Sequence, residues 1–426
     1  MNKVVLAYSG GLDTSVAVAW LREQYGVEVV TLTVDLGGGS LREGIERRAM
    51  SAGASRAYVV DARETFVAQY VWRALQAGAL YEGAYPLATA LARPLLAQLL
   101  VELAQKEGAD AVAHGCTGKG NDQVRFDVAV HALDPGLQVI APMRVGMGLT
   151  REQTVDFANE RGIEIPVTRE APWSIDVNLW GRSCETGPLE DPWATPPEDA
   201  YAWTVRAADA PDPVELVIGF EGGIPVSIDG EYLPGVALVE RMHALGAAHG
   251  VGRIDHVEDR LVGIKSREIY EAPAAVILHA AHHALEGLVL SREQLRFNRL
   301  VSDEIARLIY DGLWFSALSR DLRTYTMSSQ RVVSGEVRMR LDHGRGYVVG
   351  RRSPLSLYDK DLATYDEGDA FDHAAAVGFI EIFGLPLRVE AARHGAVGRH
   401  HGAAWTWTNP LLDTLPVTVA EAAAAG

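Results

Sequence analysis

Nine consecutive residues near the start of the chain, Ala7-Tyr8-Ser9-Gly10-Gly11-Leu12-Asp13-Thr14-Ser15, have the types and spacing to hold an anion. They follow a short apolar run and lead into a helical stretch. The two glycines therefore fall where the chain must turn and where a ligand can approach the backbone closely. Backbone N–H groups at a helix start, with the hydroxyls of Ser9, Thr14 and Ser15 around them, make a nest for phosphate oxygens. The turn matches neither G-x-x-x-x-G-K-[ST] nor G-x-G-x-x-G, so it is neither a P-loop nor a dinucleotide fingerprint. Two glycines alone would mark only a turn capped by Asp13 or Thr14. The complete S-G-G-x-D-T-S string directly after a first strand points instead to a phosphate site.

Six later stretches bear on a family resemblance: residues 81–94, 114–126, 173–183, 250–255, 261–273 and 361–366. Each has a plainer reading beside a functional one. Residues 118–122 fit a solvated turn, and Arg93 and Arg125 fit surface ion pairs. Tyr85 and Tyr270 fit packing aromatics, and Ser174 and Ser183 fit loop caps. Glu258 stands among Asp255, Asp259 and Arg260, as in a solvated charged stretch. Cys116 reads as a small packed residue, since nothing near it in sequence would activate a thiol. The pairs His282-His283 and His400-His401 lack metal-ligand spacing and are assigned no ligand role.

The elements that must position these residues alternate in type over roughly the first 170 residues. Strands are expected at 3–8, 27–35, 56–61, 109–114 and 138–142, with helical stretches at 14–24, 41–52 and 94–106. Strands alternating with helices imply a parallel sheet covered on both faces, with ligands outside the carboxyl ends of its strands. The polar, glycine-bearing segments 9–15, 35–40 and 114–125 leave strands at that edge. After residue 170 the texture changes. Residues 188–213 read as an irregular connection, and 214–232 as a hairpin with turns at Glu221-Gly222-Gly223 and Asp229-Gly230. The apolar stretch 272–290 carries His279, His282, His283 and Glu286, and reads as a buried or interface helix rather than a membrane span.

Composition narrows the classes. A chain of 426 residues, 48% hydrophobic and 22% charged, is ordinary for a globular protein of two domains. Its net charge of −17 repels a polyphosphate backbone, so nucleic acid is not the expected partner. Two cysteines are too few for a disulfide framework or a four-cysteine zinc site. The apolar run at residues 4–7 is too short for a signal peptide, and a reducing cytoplasm is the expected setting.

The S-G-G-x-D-T-S string resembles the motif with which ATP pyrophosphatases hold the β,γ-phosphates while cleaving ATP between α and β. The later stretches sharpen the likeness. Tyr81-Glu82-Gly83-Ala84-Tyr85-Pro86-Leu87-Ala88-Thr89-Ala90-Leu91-Ala92-Arg93-Pro94, His114-Gly115-Cys116-Thr117-Gly118-Lys119-Gly120-Asn121-Asp122-Gln123-Val124-Arg125-Phe126 and Trp173-Ser174-Ile175-Asp176-Val177-Asn178-Leu179-Trp180-Gly181-Arg182-Ser183 resemble the argininosuccinate synthase family almost residue for residue. The likeness runs from about residue 3 to 386. It implies an α/β fold: a parallel-sheet, PP-loop nucleotide-binding domain over 1–170, then an α+β synthetase and oligomerisation domain with a C-terminal helix over 171–386. Residues 387–426 are expected to form a partly disordered tail.

The resemblance further implies condensation of L-citrulline with L-aspartate, ATP being the co-substrate and Mg²⁺ its companion, in a homotetramer. Carried over by position, Ala7, Tyr8, Ser9, Gly10, Gly11, Leu12, Asp13, Thr14, Ser15 and Val34 bind ATP, with Gly115 beside it. Aspartate falls to Thr117, Asn121 and Asp122. Citrulline falls to Tyr85, Thr89, Asn121, Arg125, Ser174, Ser183, Glu258 and Tyr270, and Arg93 is counted with the substrate contacts. Asp13, Asp122 and Arg125 are the expected catalytic set. Both amino acids carry α-carboxylates, which suit arginine forks. Glu258 and Asp122 would orient cationic amino groups, and Lys119 with Mg²⁺ would offset phosphate charge. One departure stands out: Asp35-Leu36-Gly37-Gly38-Gly39-Ser40 replaces the family's usual D-L-G-Q-G followed by acidic residues. A tRNA-thiolating relative would want a basic groove and catalytic or metal-binding cysteines, which this composition disfavours. A nucleotide-binding regulator without ligase activity would leave the later stretches without a purpose.

Overall fold

The computed structural model describes residues 1–39, 41, 43–145, 147, 151–164, 173–366 and 368–400. Its first sheet follows from five short, mostly apolar strands: β1 (Lys3–Ala7), β2 (Glu28–Asp35), β3 (Arg56–Asp61), β4 (Ala111–Ala113) and β5 (Gln138–Ile140). All pair in parallel, in the order β3-β2-β1-β4-β5. A sheet buried on both faces needs such runs: Val4, Val5, Leu6, Val112 and Ala113 are wholly inaccessible. The order reverses between β1 and β4, which is the switch point where a ligand crevice opens. Helix α1 (Leu12–Tyr25) follows β1. It ends on Gly26 in the left-handed conformation, as helix termini favour.

Helix α2 is expected from residue 94 but already begins at Ala88 and runs to Glu107, with Pro94 inside it. Proline normally marks a helix start because it lacks an N–H. Here Ala88, Ala90, Leu91 and Ala92 are buried, and that burial carries the helix upstream of the proline. The helix expected at 41–52 spans Ile45–Ser51. Of the 35–40 loop, residue 40 lies outside the described residues. Helix α3 (Asp122–Leu133) starts at the polar turn after β4.

Two antiparallel sheets follow. The first joins β6 (Ser174–Asn178), β7 (Gly181–Glu185), β11 (Arg253–Asp259) and β12 (Lys265–Glu271), in the order β11-β12-β7-β6. The second holds the expected hairpin as β8 (Val214–Glu221), β9 (Ile224–Ile228) and β10 (Glu231–Tyr232), with β13 (Gly335–Asp342) and β14 (Arg345–Arg352) beside β8. Helix α4 (Pro273–Val289) is the expected helix with histidines. His279, His282 and Glu286 are buried along it, and Gln330 bridges His282 and Glu286 with two 2.7 Å hydrogen bonds. Helix α5 (Arg292–Tyr310) opens with a capping box, Ser291 paired with Gln294. Among the described residues no helix is long and apolar enough to cross a membrane.

One apolar cluster joins Phe66, Tyr85 and Leu91 to Trp180, Ile218, Leu278 and Ile309, so residues 1–357 form a single compact unit. In the second unit, 358–426, helices α6 (His373–Phe383) and α7 (Leu385–His400) are described, and residues 401–426 of the expected tail lie outside the described residues. Helix α7 occupies part of what the sequence suggests is an irregular tail.

The irregular 188–213 connection is anchored by one buried carboxylate. Glu271, fully inaccessible, accepts from Arg182 Nη1 at 2.8 Å, from the backbone N–H groups of Ala202, Trp203 and Thr204, and from the Thr204 hydroxyl. A buried charge is tolerable only when paired and hydrogen-bonded in this way. Glu271→Gln leaves Arg182 buried without its counter-charge and is expected to lower stability by about 3–5 kcal/mol. Thermal or urea unfolding of the two proteins checks this, and equal midpoints would mean that the carboxylate does not hold the connection.

Candidate active site

A cavity of about 370 Å³ opens at the switch point, along the carboxyl ends of β1, β2 and β4. Ala7, Tyr8, Ser9, Asp13 and Thr14 line it from the first turn, Val34 from β2 and Gly115 from the segment after β4. Residues of α2 and β6, among them Arg93 and Asp176, face them. The turn depends on Gly10, whose φ of +69° is left-handed, with the Ile45 side chain 3.0 Å from where a Cβ would lie. No side chain caps α1, so its leading N–H groups keep their capacity to meet an anion. The Ser9 and Thr14 hydroxyls are 3.1 Å apart. Buried Ser15 bonds the Tyr8 hydroxyl at 2.9 Å, and Thr33 donates to the Tyr8 carbonyl at 2.8 Å, stiffening the wall. Gly10, Gly11, Leu12 and Ser15 thus build the turn without lining the cavity.

A second cavity of about 140 Å³ adjoins the first through Asp176, which lines both. Its wall is one face of the β11-β12-β7-β6 sheet. Alternate residues share a face, so Ser174 and Asp176 on β6, Ser183 and Glu185 on β7, and Glu268 and Tyr270 on β12 point the same way. Register lines them up in a row: Tyr270 opposes Ser183, which opposes Asp176. Tyr85 and Thr89 come from the start of α2, Asn121, Asp122 and Arg125 from the start of α3, and Glu258 from β11. Tyr310, the last residue of α5, completes the set.

Charges link the two cavities. Arg93 Nη2 donates to Asp122 Oδ2 at 2.7 Å and also to Asp176. Asp122 Oδ1 accepts from Arg125 Nη1 at 2.9 Å. Burial alone would raise the Asp122 carboxyl, but the Arg93 and Arg125 guanidiniums pull it down to about 2, so it stays ionised. Arg125 Nε donates to the Tyr310 carbonyl at 2.7 Å, and its guanidinium lies 4.7 Å from the Tyr310 ring centre. That leaves Arg125 Nη2 and Arg93 Nε buried without a hydrogen-bond partner. Groups left in this state normally meet a ligand or water.

Glu258 is buried between two phenols, accepting from Tyr310 at 2.5 Å and from Tyr270 at 2.6 Å. Asn121 Nδ2 in turn donates to the Tyr310 hydroxyl at 2.8 Å, and Asn121 Oδ1 accepts from the Leu261 N–H at 2.9 Å. Tyr85 stacks on Tyr270, ring centres 4.0 Å apart, and burial raises both phenols well above their ordinary range. Neither serves as a base near neutral pH. Burial also pushes the Cys116 thiol up to about 12, in keeping with a packed rather than nucleophilic cysteine.

The second cavity therefore collects Tyr85, Thr89, Asn121, Asp122, Arg125, Ser174, Ser183, Glu258 and Tyr270, as the sequence suggests. Arg93 lines the first cavity instead, tied to two carboxylates. Thr117 and Lys119 are exposed on the 117–120 turn and line neither cavity. Sequence reasoning missed Asp176, Glu185, Glu268, Arg260 and Tyr310. The first three had a readable signal, the two-residue alternation Ser174-Ile175-Asp176, Ser183-Cys184-Glu185 and Glu268-Ile269-Tyr270.

The Tyr270 hydroxyl carries one proton yet lies 2.6 Å from Glu258 and 2.9 Å from Glu268, so both contacts hold only if Glu268 supplies its own proton. Burial, then the charges of Glu258 and Glu185, push the Glu268 carboxyl up to about 8, against a weaker pull from Arg260. A carboxyl neutral when folded and ionised when unfolded makes folding take up a proton between its ordinary pKa and about 8. Its contribution to stability is present below that window and is lost as pH rises through it. Glu268→Gln, which cannot titrate, is expected to flatten this part of the melting-temperature profile from pH 5 to 9. The variant is also expected to be the more stable protein at pH 8. Parallel profiles would show that Glu268 does not hold the proton.

Comparison with known families agrees with this geometry. Residues 3–164 match the arginosuccinate synthase N-terminal HUP domain, and residues 173–390 match the arginosuccinate synthase C-terminal domain. An argininosuccinate synthase of Dehalococcoides mccartyi is 56% identical over 391 residues, covering 92% of this chain and 96% of that protein. One of Symbiobacterium thermophilum is 57% identical over 393 residues, covering 92% and 98%. With both of its domains matched and relatives more than half identical along nearly their whole length, the chain belongs to the argininosuccinate synthase family.

Proposed function

We propose that the two cavities divide the family's reaction between them. The chain is a carbon–nitrogen ligase of arginine biosynthesis, condensing L-citrulline with L-aspartate and converting ATP to AMP and pyrophosphate. ATP is placed in the larger cavity, its β,γ-phosphates on the turn from Ser9 to Ser15. The amino acids are placed in the smaller one, with citrulline against Tyr85, Thr89, Arg125, Ser174, Ser183, Glu258 and Tyr270. Aspartate is placed against Asn121 and Asp122, with Thr117 outside the cavity on the turn whose Gly120 lines it. The observation that carries this reading is the shared wall at Asp176: a ureido group beside it would lie next to the α-phosphate.

The ureido oxygen attacks the α-phosphorus, and the bond to the β-phosphate breaks as pyrophosphate leaves. The aspartate amine, having lost a proton, then attacks the ureido carbon, and the C–O bond breaks as AMP departs. Positioning carries most of this chemistry. The partnerless Arg125 Nη2 suits an oxygen of citrulline. Asp122, ionised and fixed by two guanidiniums, suits an amino group. Four carboxylates besides the protonated Glu268 line the smaller cavity against two guanidiniums, Arg125 and Arg260, which favours ligands with α-ammonium groups.

Among the described residues no cluster of three or more His, Cys, Asp or Glu side chains could cage a metal ion. Mg²⁺ needs no such cage, being held by substrate phosphates with one or two carboxylates, and Asp13 at the turn fits that role. With Mg²⁺ bound, phosphate charge is neutralised as pyrophosphate departs. The setting we propose is a reducing cytoplasm, where the unpaired thiols of Cys116 and Cys184 persist. We assign 1–170 to a nucleotide-binding domain, 171–386 to a synthetase and oligomerisation domain that shares the amino-acid cavity with it, and leave 387–426 as a tail.

Sustained, multiple-turnover pyrophosphate release from Mg-ATP is expected only with citrulline and aspartate together, giving AMP and argininosuccinate in equal amounts. Release with neither amino acid, or with any other acceptor alone, would overturn the substrate reading. Arg125→Gln is expected to raise KM for citrulline on the order of tenfold or more while leaving that for ATP near wild type. For assembly we propose the homotetramer: Val377, Phe379, Ile380, Ile382 and Phe383 on α6 are each more than half exposed, an apolar surface that asks for a partner. Sedimentation should give four chains, and Ile382→Asp should shift the mass downward. A monomeric wild type would end that proposal.

A further inference from the structure

One cation beside the phosphate turn has no role in the scheme so far. Arg48 sits on the short helix Ile45–Ser51, and its Nη1 donates to the Glu43 carbonyl at 2.8 Å. Its Nε and Nη2 are both inaccessible to solvent and have no hydrogen-bond partner among the described residues. Nη2 lies 3.4 Å from where a Cβ on Gly10 would stand, so the guanidinium is pressed against the S-G-G turn itself. Ile45, one helical turn earlier on the same helix face, lines the larger cavity.

Burying a guanidinium with two of its donor groups unused is costly, and such arrangements persist where an anion completes them. Arg48 itself is not among the residues lining the cavity, and the guanidinium that does line it among the described residues does not fill the need. Arg93 is already held by Asp122 and Asp176, on the wall opposite the turn. Lys119, the remaining cation expected to serve the phosphates, is exposed and lines neither cavity. A departing pyrophosphate is the most highly charged species in the reaction, and a planar fork of donors matches its oxygens in pairs.

We infer that Arg48 is a binding residue for the β,γ-phosphates of ATP and for the pyrophosphate they become, closing the S-G-G turn from the side of Gly10. The inference rests on the placement of ATP proposed above. Arg48 holds the leaving group, so it acts on ATP and pyrophosphate and is silent toward both amino acids. The inward-facing N–H groups are satisfied only when the anion is present, so the anion stabilises the protein through this contact.

The test compares wild type with Arg48→Met, which keeps the aliphatic stem, and Arg48→Lys, which keeps the charge but loses the fork. Thermal unfolding with and without Mg-pyrophosphate is read beside steady-state kinetics. Arg48→Met is expected to melt no lower than wild type without ligand, because an unpaired buried charge has been removed. It is expected to lose most of the rise in melting temperature that pyrophosphate gives wild type. Its KM for ATP and its inhibition constant for pyrophosphate should rise on the order of tenfold or more, with KM for citrulline and aspartate within about twofold. Arg48→Lys should fall between the two. A variant that loses stability without ligand yet keeps wild-type pyrophosphate binding would overturn the inference and make Arg48 a packing residue. Should Arg48→Met not fold, Arg48→Lys decides: weakened pyrophosphate binding supports the role, and unchanged binding refutes it. A wild-type protein that forms no argininosuccinate and gains nothing from pyrophosphate would instead sink the placement of ATP.

Discussion

The site is organised around one half-buried carboxylate. Asp122 stands at the first turn of α3, where a helix favours negative charge, and takes one guanidinium on each oxygen. Arg93 fixes it to α2 and, through Asp176, to the antiparallel sheet. Arg125 fixes it to the end of α5 through the Tyr310 carbonyl. Four separate pieces of chain are thus referred to one charge, and each is held in a geometry that the next pair requires. A buried ion pair of this kind contributes little net stability, since desolvation offsets most of the attraction. Its consequence is positional. Removing any one member leaves an uncompensated charge, so the cavity walls cannot drift independently of one another.

The same logic governs the second polar knot. Glu258 accepts from two phenols, one on β12 and one at the end of α5, and Asn121 orients the latter from the start of α3. Stacking of Tyr85 on Tyr270 and of Tyr81 on Tyr310, ring centres 4.0 and 3.6 Å apart, holds both phenols in place. The loop before α2 therefore sets the depth of the amino-acid cavity, although it makes none of the charged contacts. The rows of alternate side chains on β6, β7 and β12 give that cavity a flat wall, and the wall's polarity explains why it needs to be covered.

How much of this was legible depends on which face of each element meets water. The parallel sheet could be read strand by strand because both its faces are buried. Val4, Val5 and Leu6, or Val29 and Val30, leave no doubt about an apolar strand. The phosphate turn was legible for a different reason: only glycine fits Gly10, and the flanking hydroxyls have a chemical use. The antiparallel sheet of the site was not read, because its functional face is polar and its strands pass for loops. Glu258, Glu268 and Ser174 carry no hydrophobic signature, and their partners lie far away in sequence. The resemblance to a known family brought out most of these residues, but it could not separate contact from support. Glu271, next to Tyr270 in the same stretch, anchors a loop, and Arg93 lies between two carboxylates, Asp122 and Asp176.

A final consequence follows from the donors that the protein leaves unused. Four of the six side-chain polar atoms buried without a hydrogen-bond partner among the described residues, Arg125 Nη2, Arg93 Nε, and Arg48 Nε and Nη2, lie beside one of the two cavities or the turn between sheet and helix. A sequence selected for stability alone would have paired them or replaced them with apolar side chains. Their cost in the free protein is the reverse side of preorganisation: donors already desolvated and oriented need not be rearranged when charge builds on the departing pyrophosphate. Two reactions in succession, each expelling an anion, require such donors at two places about one substrate apart. The shared wall at Asp176 sets that separation, and the charge chain through Arg93 and Asp122 keeps it constant between the first step and the second.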